Sequence, residues 1–264
     1  MKRKSAICLV ACLLVLGLTV LLYPTVSSAI NRANGSYAIQ QYQQQLEDMG
    51  STQLYSELEK ANKYNEQLKN TGKADNEEYD EILDFGNGVM GYIRIKKIDV
   101  MLPIYHGVSS EVLEKGIGHL PSSMFPIGGT GNHSVLTGHT GLPSARLFTD
   151  LVQLAIGDMF EVSVGSHSVS YQIDQIHTVL PAENEYLLPV SGEDYCTLVT
   201  CTPYGVNSHR LLVRGRRVEP TEAEIVPAAI EIEEPERGTA WLWTLALIPF
   251  LLLTVRLGKR RQNG

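Results

Sequence analysis

The chain has 264 residues, which suits one medium-sized domain or two small ones, and its hydrophobic content of 44% is enough for a buried core. The formal net charge of −7 at pH 7 argues against nucleic acid as a partner. The four cysteines show no Cys-x-x-Cys or His-rich ligand spacing, which argues against a metal site, and their placement does not suit a disulfide scaffold.

The first apolar run, Ala6 to Tyr23, carries no charged residue and follows the basic stretch 2–4. Its length suits a tilted membrane span better than the core of a signal peptide. The Val-Ser-Ser-Ala stretch at 26–29 resembles a cleavage site, so removal as a signal peptide is the alternative. We predict an uncleaved anchor over 6–23, with residues 1–5 in the cytoplasm.

Two amphipathic helices are expected after the anchor. Apolar residues recur at helical spacing from Ser36 to Gly50 and again from Ser51 to Asn70. A polar, acidic connector follows, from Thr71 to Asp84. We therefore assign residues 24–85 to membrane-proximal helices and a connector.

From Val89 the pattern changes to short strands that are β-branched or alternate in polarity, separated by Gly, Pro, Asn and Ser. The predicted strands are Tyr92 to Ile95, Val100 to Ile104, His133 to Thr137, Met159 to Val164, Val169 to Val179, Tyr195 to Cys201 and His209 to Arg217. Two short helices are predicted between them, Glu111 to Lys115 and Ala145 to Leu154. This pattern indicates a mainly all-β domain, a closed barrel or a sandwich, over residues 86–218.

The last two predicted strands form the simplest hairpin, with a turn marked by Pro203 and Gly205. Antiparallel pairing places Cys201 beside His209 and Arg210, whereas Arg214 falls about 13 Å further along the strand. A guanidinium close to a thiol favours the thiolate and can stabilise an oxyanion.

Cys196 and Cys201 are five residues apart on one predicted strand and therefore face opposite sides. Cys196 lies mid-strand, which suits an inert core thiol, while Cys201 lies at the strand end. The alternative is that Cys201 is also an inert buried thiol, the commonest state of a free cysteine in a strand.

A thiol nucleophile needs a base, and composition alone does not choose among the seven histidines. His139 follows a predicted strand and is flanked by Gly138 and Gly141, so its ring can project from a loop on a rigid scaffold. His133, within the preceding strand, is the nearest alternative.

The C-terminal part of the chain contains an acidic stretch with three prolines and then a second apolar run. Residues 219–239 cannot bury a core and are predicted to be a solvated tether. The run over 240–256 has tryptophans at one end and a basic cluster at the other, which indicates a second membrane span with a cytoplasmic tail at 257–264. The domain between the two spans is then extracellular.

Several motifs together resemble the sortase family, membrane-anchored cysteine transpeptidases of Gram-positive bacteria. They are Thr-Leu-Val-Thr-Cys at 197–201, Arg210 after a short loop, and Thr-Gly-His at 137–139. Further motifs resemble class C, the pilin-polymerising sortases: Gly-Val-Met-Gly-Tyr-Ile at 88–93, Leu-Pro-Ile-Tyr-His-Gly at 102–107, Gly-Ile-Gly-His-Leu at 116–120, Gly-Leu-Pro-Ser-Ala at 141–145 and Thr-Pro-Tyr-Gly-Val-Asn-Ser-His-Arg at 202–210. The second span is also similar to that class.

The resemblance implies an eight-stranded sortase-type β-barrel with short helices. It implies that Cys201 is the nucleophile, His139 the general acid and base, and Arg210 the donor that stabilises the oxyanion or positions the substrate. The implied reaction cleaves a Leu-Pro-x-Thr-Gly-like sorting signal between Thr and Gly through a thioester, and transfers the acyl group to a lysine of a pilin subunit. The implied partners are pilin subunits and the lipid bilayer, without nucleic acid and without a cofactor.

One departure from class C is that no Asp-Pro-aromatic tripeptide, the usual lid motif, occurs between Gly50 and Gly86. Two other functions stay open at this point. One is a housekeeping sortase that attaches surface proteins to peptidoglycan, and the other is a membrane-tethered binding barrel without catalysis.

Overall fold

A computed structural model describes residues 2–73 and 78–219 of the chain. Contacts divide this part into two units, residues 2–22 and residues 23–219. The predicted second span, the cytoplasmic tail and the tether beyond Glu219 lie outside the described residues.

The structure begins with two long helices, α1 (Lys2–Asp48) and α2 (Ser51–Thr71). The predicted break at Gly50 is therefore confirmed, while the apolar run and the first amphipathic helix form one continuous helix with Pro24 inside it. Within the described residues, one helix segment, Leu9–Asp48, is long and apolar enough to cross a membrane, with a mean hydropathy of 2.4 in its most apolar window.

Eight strands form a closed barrel in the order β1-β2-β3-β4-β7-β8-β6-β5. Most neighbours are antiparallel, whereas β2 and β3 pair in parallel and so do β4 and β7. The strands are β1 (Val89–Ile95), β2 (Val100–His106), β3 (Ile117–His119), β4 (Asn132–Thr137), β5 (Met159–Val164), β6 (His167–Val179), β7 (Asp194–Thr202) and β8 (His209–Val218). The eight-stranded barrel implied by the resemblance is confirmed.

Two local predictions differ from the structure. Strand β3 was not predicted, because it has three residues and a glycine in the middle, too short for an alternating pattern. The helix predicted over Ala145 to Leu154 is wrong, since only a 3-10 turn, Thr149–Gln153, forms there. Leu147 has a φ of 37°, a conformation that cannot continue a right-handed helix. The other predicted short helix is present as α3 (Ser110–Lys115).

Helix α1 packs on the barrel through its C-terminal half. The Gly165 amide donates a hydrogen bond of 2.7 Å to the Tyr42 hydroxyl, and the Tyr42 ring lies edge-on to Phe85 with centroids 5.6 Å apart. Arg32 forms an ion pair of 3.0 Å with Asp99, at the turn between β1 and β2. The ion pair is exposed and contributes little, so the buried aromatic contacts hold this helix on the barrel.

Residues 79–85, the aromatic and acidic segment before β1, contribute to the core. Tyr79 is 4% exposed, its ring stacks on Phe125 at 5.4 Å, and its hydroxyl lies 2.9 Å from Nδ1 of His119. Burial lowers the pKa of His119 to about 4, so this imidazole is neutral at pH 7. The segment is thus part of the domain's core.

Helix α2 is joined to the barrel by Asn65, which is buried. Its amide nitrogen donates to the Phe125 carbonyl and to Oδ1 of Asn132, both at 3.1 Å, and its oxygen accepts from the Phe125 amide at 2.7 Å. One side chain therefore satisfies both backbone groups of a residue in the β3–β4 connection.

Replacing Asn65 with alanine is expected to lower the free energy of unfolding by about 2–4 kcal/mol, because three buried polar groups lose their partner. Chemical denaturation of the full chain in detergent measures the effect. Asn62→Ala is the control, since Asn62 is exposed on the same helix. Equal unfolding midpoints for the two variants would contradict this role.

Candidate active site

Alternation along β7 sends its side chains to two different environments. Cys196 and Leu198 belong to the main core inside the barrel, while Val199 belongs to a second cluster of Val135, Val179, Val199 and Leu212 on the outer face. Cys201 has the same parity as Val199 and is half-buried. Burial raises the pKa of the Cys196 thiol well above its usual value, so this cysteine is an unreactive thiol in the core.

Arg210 is paired directly with Cys201 in the β7–β8 ladder, and His209 is paired with Thr202. Nη1 of Arg210 donates to the carbonyl of His209 at 3.1 Å and to that of Asn207 at 3.3 Å. The β7–β8 turn therefore fixes the guanidinium at the end of the barrel where Cys201 lies. The predicted register of this hairpin is confirmed.

Arg214 is used elsewhere, as the hairpin register predicts. It pairs with Thr197, binds Asp174 through two hydrogen bonds of 3.0 and 2.5 Å, and lies 3.9 Å above the Tyr195 ring. The charge of Arg214 is therefore already paired with Asp174, in the middle of the outer face.

His139 is brought to the same end of the barrel by the parallel pairing of β4 with β7. Thr137 pairs with Val199, the Gly138 amide donates to the Val199 carbonyl at 3.0 Å, and the Thr200 hydroxyl donates to the Gly138 carbonyl at 2.7 Å. Both polar groups of Gly138 are thus bound to the two residues that precede Cys201. The next residue, His139, leaves the strand beside Cys201.

Gly138 is required for this approach. A Cβ atom at this position would lie 2.7 Å from Cδ1 of Ile117 and 2.7 Å from Cδ2 of Phe148, closer than carbon atoms pack. The Phe148 amide also donates to the His139 carbonyl at 3.1 Å. The backbone around His139 is therefore held from both sides.

The loop that carries His139 contacts the β7–β8 loop, which leads to Arg210. Gly141 has a φ of 74°, and a Cβ there would lie 3.2 Å from the Tyr204 ring, which belongs to the β7–β8 loop. The peptide bond between Thr202 and Pro203, just after Cys201, is cis. The structure thus brings all three predicted site residues to one mouth of the barrel.

The alternative base, His133, is placed differently. It is 2% exposed, with Nδ1 2.9 Å from the Leu188 carbonyl and Nε2 2.7 Å from the Thr197 hydroxyl. Both ring nitrogens therefore have partners within the fold. Burial lowers the pKa of His133, which favours the neutral imidazole.

Sequence reasoning assigned no role to the connection between β6 and β7, residues 180–193, which we call the β6–β7 segment. Its Leu187 packs against the outer cluster that contains Val199. Its Leu188 and Val190 side chains are 63% and 44% exposed. Exposed apolar residues can form a binding surface, and the apolar residues in this connection were the signal that the sequence offered.

Comparisons with known proteins identify the family to which this barrel belongs. A family model for the sortase domain matches residues 93–218. The solved structure of sortase C1 from Streptococcus agalactiae is 47% identical, with a TM-score of 0.67 over 70% of this chain and 100% of that one. Sortase C from Clostridium perfringens, solved with its C-terminal cell wall sorting motif, is 39% identical, with a TM-score of 0.64 over 70% and 100%.

A curated relative, sortase D from Bacillus subtilis, is 28% identical over 131 residues, which cover 48% of this chain and 63% of that protein. The chain therefore spans less than two thirds of the length of this curated relative, but the whole of the solved sortase C1 domain. The barrel topology, the hairpin with Cys201 and Arg210, and the likeness to solved domains lead to one conclusion: the chain belongs to the sortase family of cysteine transpeptidases, with its structural likeness to class C sortases.

Proposed function

We propose that the chain is a class C sortase that cleaves a Leu-Pro-x-Thr-Gly-like signal between Thr and Gly and joins the Thr carbonyl to a lysine amine of a pilin subunit. The observation that carries the proposal is the direct pairing of Cys201 with Arg210. His139 follows Gly138 out of β4 at the same place. Support for the class comes from the 47% identity to a sortase C1.

In the first half-reaction, the Cys201 sulfur attacks the Thr carbonyl carbon, and a carbon–sulfur bond forms. The carbonyl oxygen becomes an oxyanion, which the Arg210 guanidinium stabilises as a charge-assisted donor. The carbon–nitrogen bond to Gly then breaks, and the departing amine takes a proton from the His139 imidazolium. The product is a thioester on Cys201.

In the second half-reaction, an amine attacks the thioester and gives a proton to the neutral His139 imidazole. The carbon–sulfur bond breaks and Cys201 leaves as a thiolate, so the starting protonation of the pair is restored. The new bond is an isopeptide when the amine comes from a lysine side chain. Repetition links subunits into a covalent polymer.

The apolar surface around the site suits such a substrate. The β6–β7 segment exposes Leu188 and Val190, and the β7–β8 loop exposes Tyr204 and Val206. These side chains border the outer face that leads to Cys201. A signal that begins with Leu and Pro can bury apolar area there, which favours binding without a charged partner.

The apolar N-terminal helix places the enzyme at the membrane in this proposal, with residues 86–218 outside the cell. The acceptor amine distinguishes the two sortase functions, because a housekeeping sortase uses a peptidoglycan amine. Some curated relatives are named sortase A, so the housekeeping function is the second candidate.

The test is to incubate the full chain in detergent with a pilin subunit that carries the signal, and separately with a signal peptide and a peptidoglycan-like amine. Ladders of covalent polymer that resist boiling in detergent are expected. Efficient transfer to the peptidoglycan-like amine, without polymer from pilin, would assign the housekeeping function. The Cys201→Ala variant serves as the blank for both reactions.

A further inference from the structure

The β6–β7 segment contains a stretch that resembles the signal this enzyme is proposed to cleave. Leu-Pro pairs occur at 102–103, 120–121, 142–143 and 188–189, and only the last continues with one further residue, a hydroxyl residue and Gly. The stretch reads Leu-Pro-Val-Ser-Gly over 188–192, and we call it the internal signal. The pair at 120–121 is followed by Ser-Ser-Met, so it lacks the Gly, and its Met124 is buried.

The internal signal lies on the surface of the domain. The Leu188 and Val190 side chains are 63% and 44% exposed, and Pro189, Ser191 and Gly192 are exposed as well. A Cβ atom built on Gly192 would meet nothing within 4 Å, so the peptide bond between Ser191 and Gly192 is open to another molecule. Exposed loop segments of this kind are where folded chains are most readily cleaved.

The peptide bond between Ser191 and Gly192 lies in a turn and not in a strand. The Glu193 amide donates to the Val190 carbonyl at 3.1 Å, and Gly192 has a φ of 86°. At the other end of the internal signal, Nδ1 of His133 donates to the Leu188 carbonyl at 2.9 Å. The internal signal can therefore extend into an active site by local opening that breaks these hydrogen bonds and leaves the barrel strands paired. We expect its cleavage to be slower than that of a free peptide.

The distances exclude attack by Cys201 of the same chain. Asp194 is fixed at the start of β7 by its pairing with Asn132, and Cys201 lies seven residues further along the strand, about 23 Å away. Ser191 precedes Asp194 by three residues, which span at most about 11 Å when fully extended. Even a fully released internal signal therefore falls about 12 Å short of Cys201 in its own chain.

We propose that the internal signal is a substrate site for a second copy of this enzyme, which cleaves the chain between Ser191 and Gly192. This inference rests on the proposed function for its chemistry. Cys201 of the second copy forms a carbon–sulfur bond to the Ser191 carbonyl carbon. The bond from that carbon to the Gly192 nitrogen breaks, and the Gly192 amine takes a proton from the His139 imidazolium of the second copy.

The thioester is then resolved as in the proposed transfer to pilin. An amine attacks the Ser191 carbonyl carbon, gives a proton to the neutral His139 imidazole of the second copy, and displaces the sulfur as a thiolate. The products are residues 1–191 joined to the acceptor amine and residues 192–264 with a new amino terminus. Because the break lies outside the strands, β7 keeps its pairing with β4 and β8 in the cleaved barrel.

The test uses the full chain in detergent. An affinity-tagged Cys201→Ala chain, which has no nucleophile of its own, is mixed with the parent enzyme and a soluble amine acceptor. A Leu-Pro-x-Thr-Gly peptide is assayed with the same enzyme in parallel. Mass spectrometry of the denatured tagged chain is expected to show residues 1–191 carrying the acceptor and a fragment that begins with Gly192. The rate is expected to rise in proportion to the concentration of parent enzyme.

Two variants of the tagged chain test the sequence of the internal signal. Ser191→Thr restores the methyl group that Ser lacks and is expected to speed cleavage about tenfold. Gly192→Asn is expected to slow cleavage at least about tenfold, since it removes the Gly of the signal. Asn tolerates a positive φ, and the open space at Gly192 accommodates its side chain. The same substitution in the active enzyme is expected to leave transfer of the free peptide within about twofold of the parent.

The outcomes separate this inference from the proposed function. Peptide transfer without cleavage of the tagged chain would overturn the internal signal and leave the proposed function standing. Absence of both reactions would overturn both. Cleavage of the parent enzyme at a rate independent of dilution would indicate attack within one chain and would refute the role of a second copy. Equal cleavage of the Ser191→Thr and Gly192→Asn chains would indicate an unspecific protease and would refute the site.

Discussion

Cys201→Ala is expected to lower the rate of signal cleavage by at least about a thousandfold, because no other group in the proposed mechanism can form the thioester. The direct measurement is mass spectrometry of the full chain after incubation with a Leu-Pro-x-Thr-Gly peptide. An acyl adduct is expected on the peptide fragment that contains Cys201 and is expected to disappear in the variant.

Cys196→Ala is the matched control for that experiment. Both cysteines lie on β7, but Cys196 is completely buried on the opposite face, where burial raises the pKa of its thiol. Its removal leaves a small cavity in the core and is expected to cost stability of about 1 kcal/mol rather than reactivity. An adduct on Cys196, or full activity without Cys201, would refute the assignment of the nucleophile.

His139→Ala is expected to reduce kcat/KM by about a hundredfold to ten-thousandfold, the range that a general acid and base contributes. The parent protein should show a bell-shaped pH profile, since one group must be protonated and another deprotonated. The variant should lose that shape and become limited by the concentration of thiolate alone. Kinetics of peptide cleavage across pH 5 to 9, in steps of about half a unit, measure both effects.

His167→Ala provides the comparison, because it removes an exposed histidine at the start of β6, the opposite end of that strand from Val179, which pairs with Arg210. Its pH profile should be indistinguishable from that of the parent. A bell-shaped profile that survives in His139→Ala would mean that another imidazole supplies the proton, and His133 would become the first residue to test.

The local parts of the site could be predicted from the sequence because they depend on short-range geometry. The alternation of β7 and the turn after it were enough to place Cys201 beside Arg210 and to exclude Arg214, and the ladder confirms both. The opposite orientation of Cys196 followed from the same alternation. That the first helix is long and apolar enough to span a membrane could also be predicted, since this depends only on composition and length.

The non-local parts could not be predicted in this way. His139 reaches the site because β4 and β7, which are far apart in the chain, pair in parallel, and no local pattern specifies that pairing. The resemblance to a family implied the role of His139, but not the strand pairing that brings it there. Strand β3 was not predicted, because three residues carry no alternating pattern.

The stretch 145–154 shows a different limit. Leu147, Leu151 and Leu154 would share one face of the predicted helix, and all three are buried, but the backbone that buries them is not that helix. The left-handed conformation of Leu147 replaces the predicted helix with a 3-10 turn and releases the Phe148 amide to bind the His139 carbonyl. The spacing of apolar residues therefore predicts which side chains are buried more reliably than it predicts a helix.

The circular strand order has a consequence for an enzyme whose proposed substrates are long extended polypeptides. An open sheet presents unpaired amides and carbonyls along its outermost strands, and such strands can recruit any extended chain by backbone hydrogen bonding alone. In this barrel every strand has a neighbour on both sides. Its clients must therefore be recognised through side chains and loops at the rim, which protects the enzyme from being captured by the polymers that it is proposed to build.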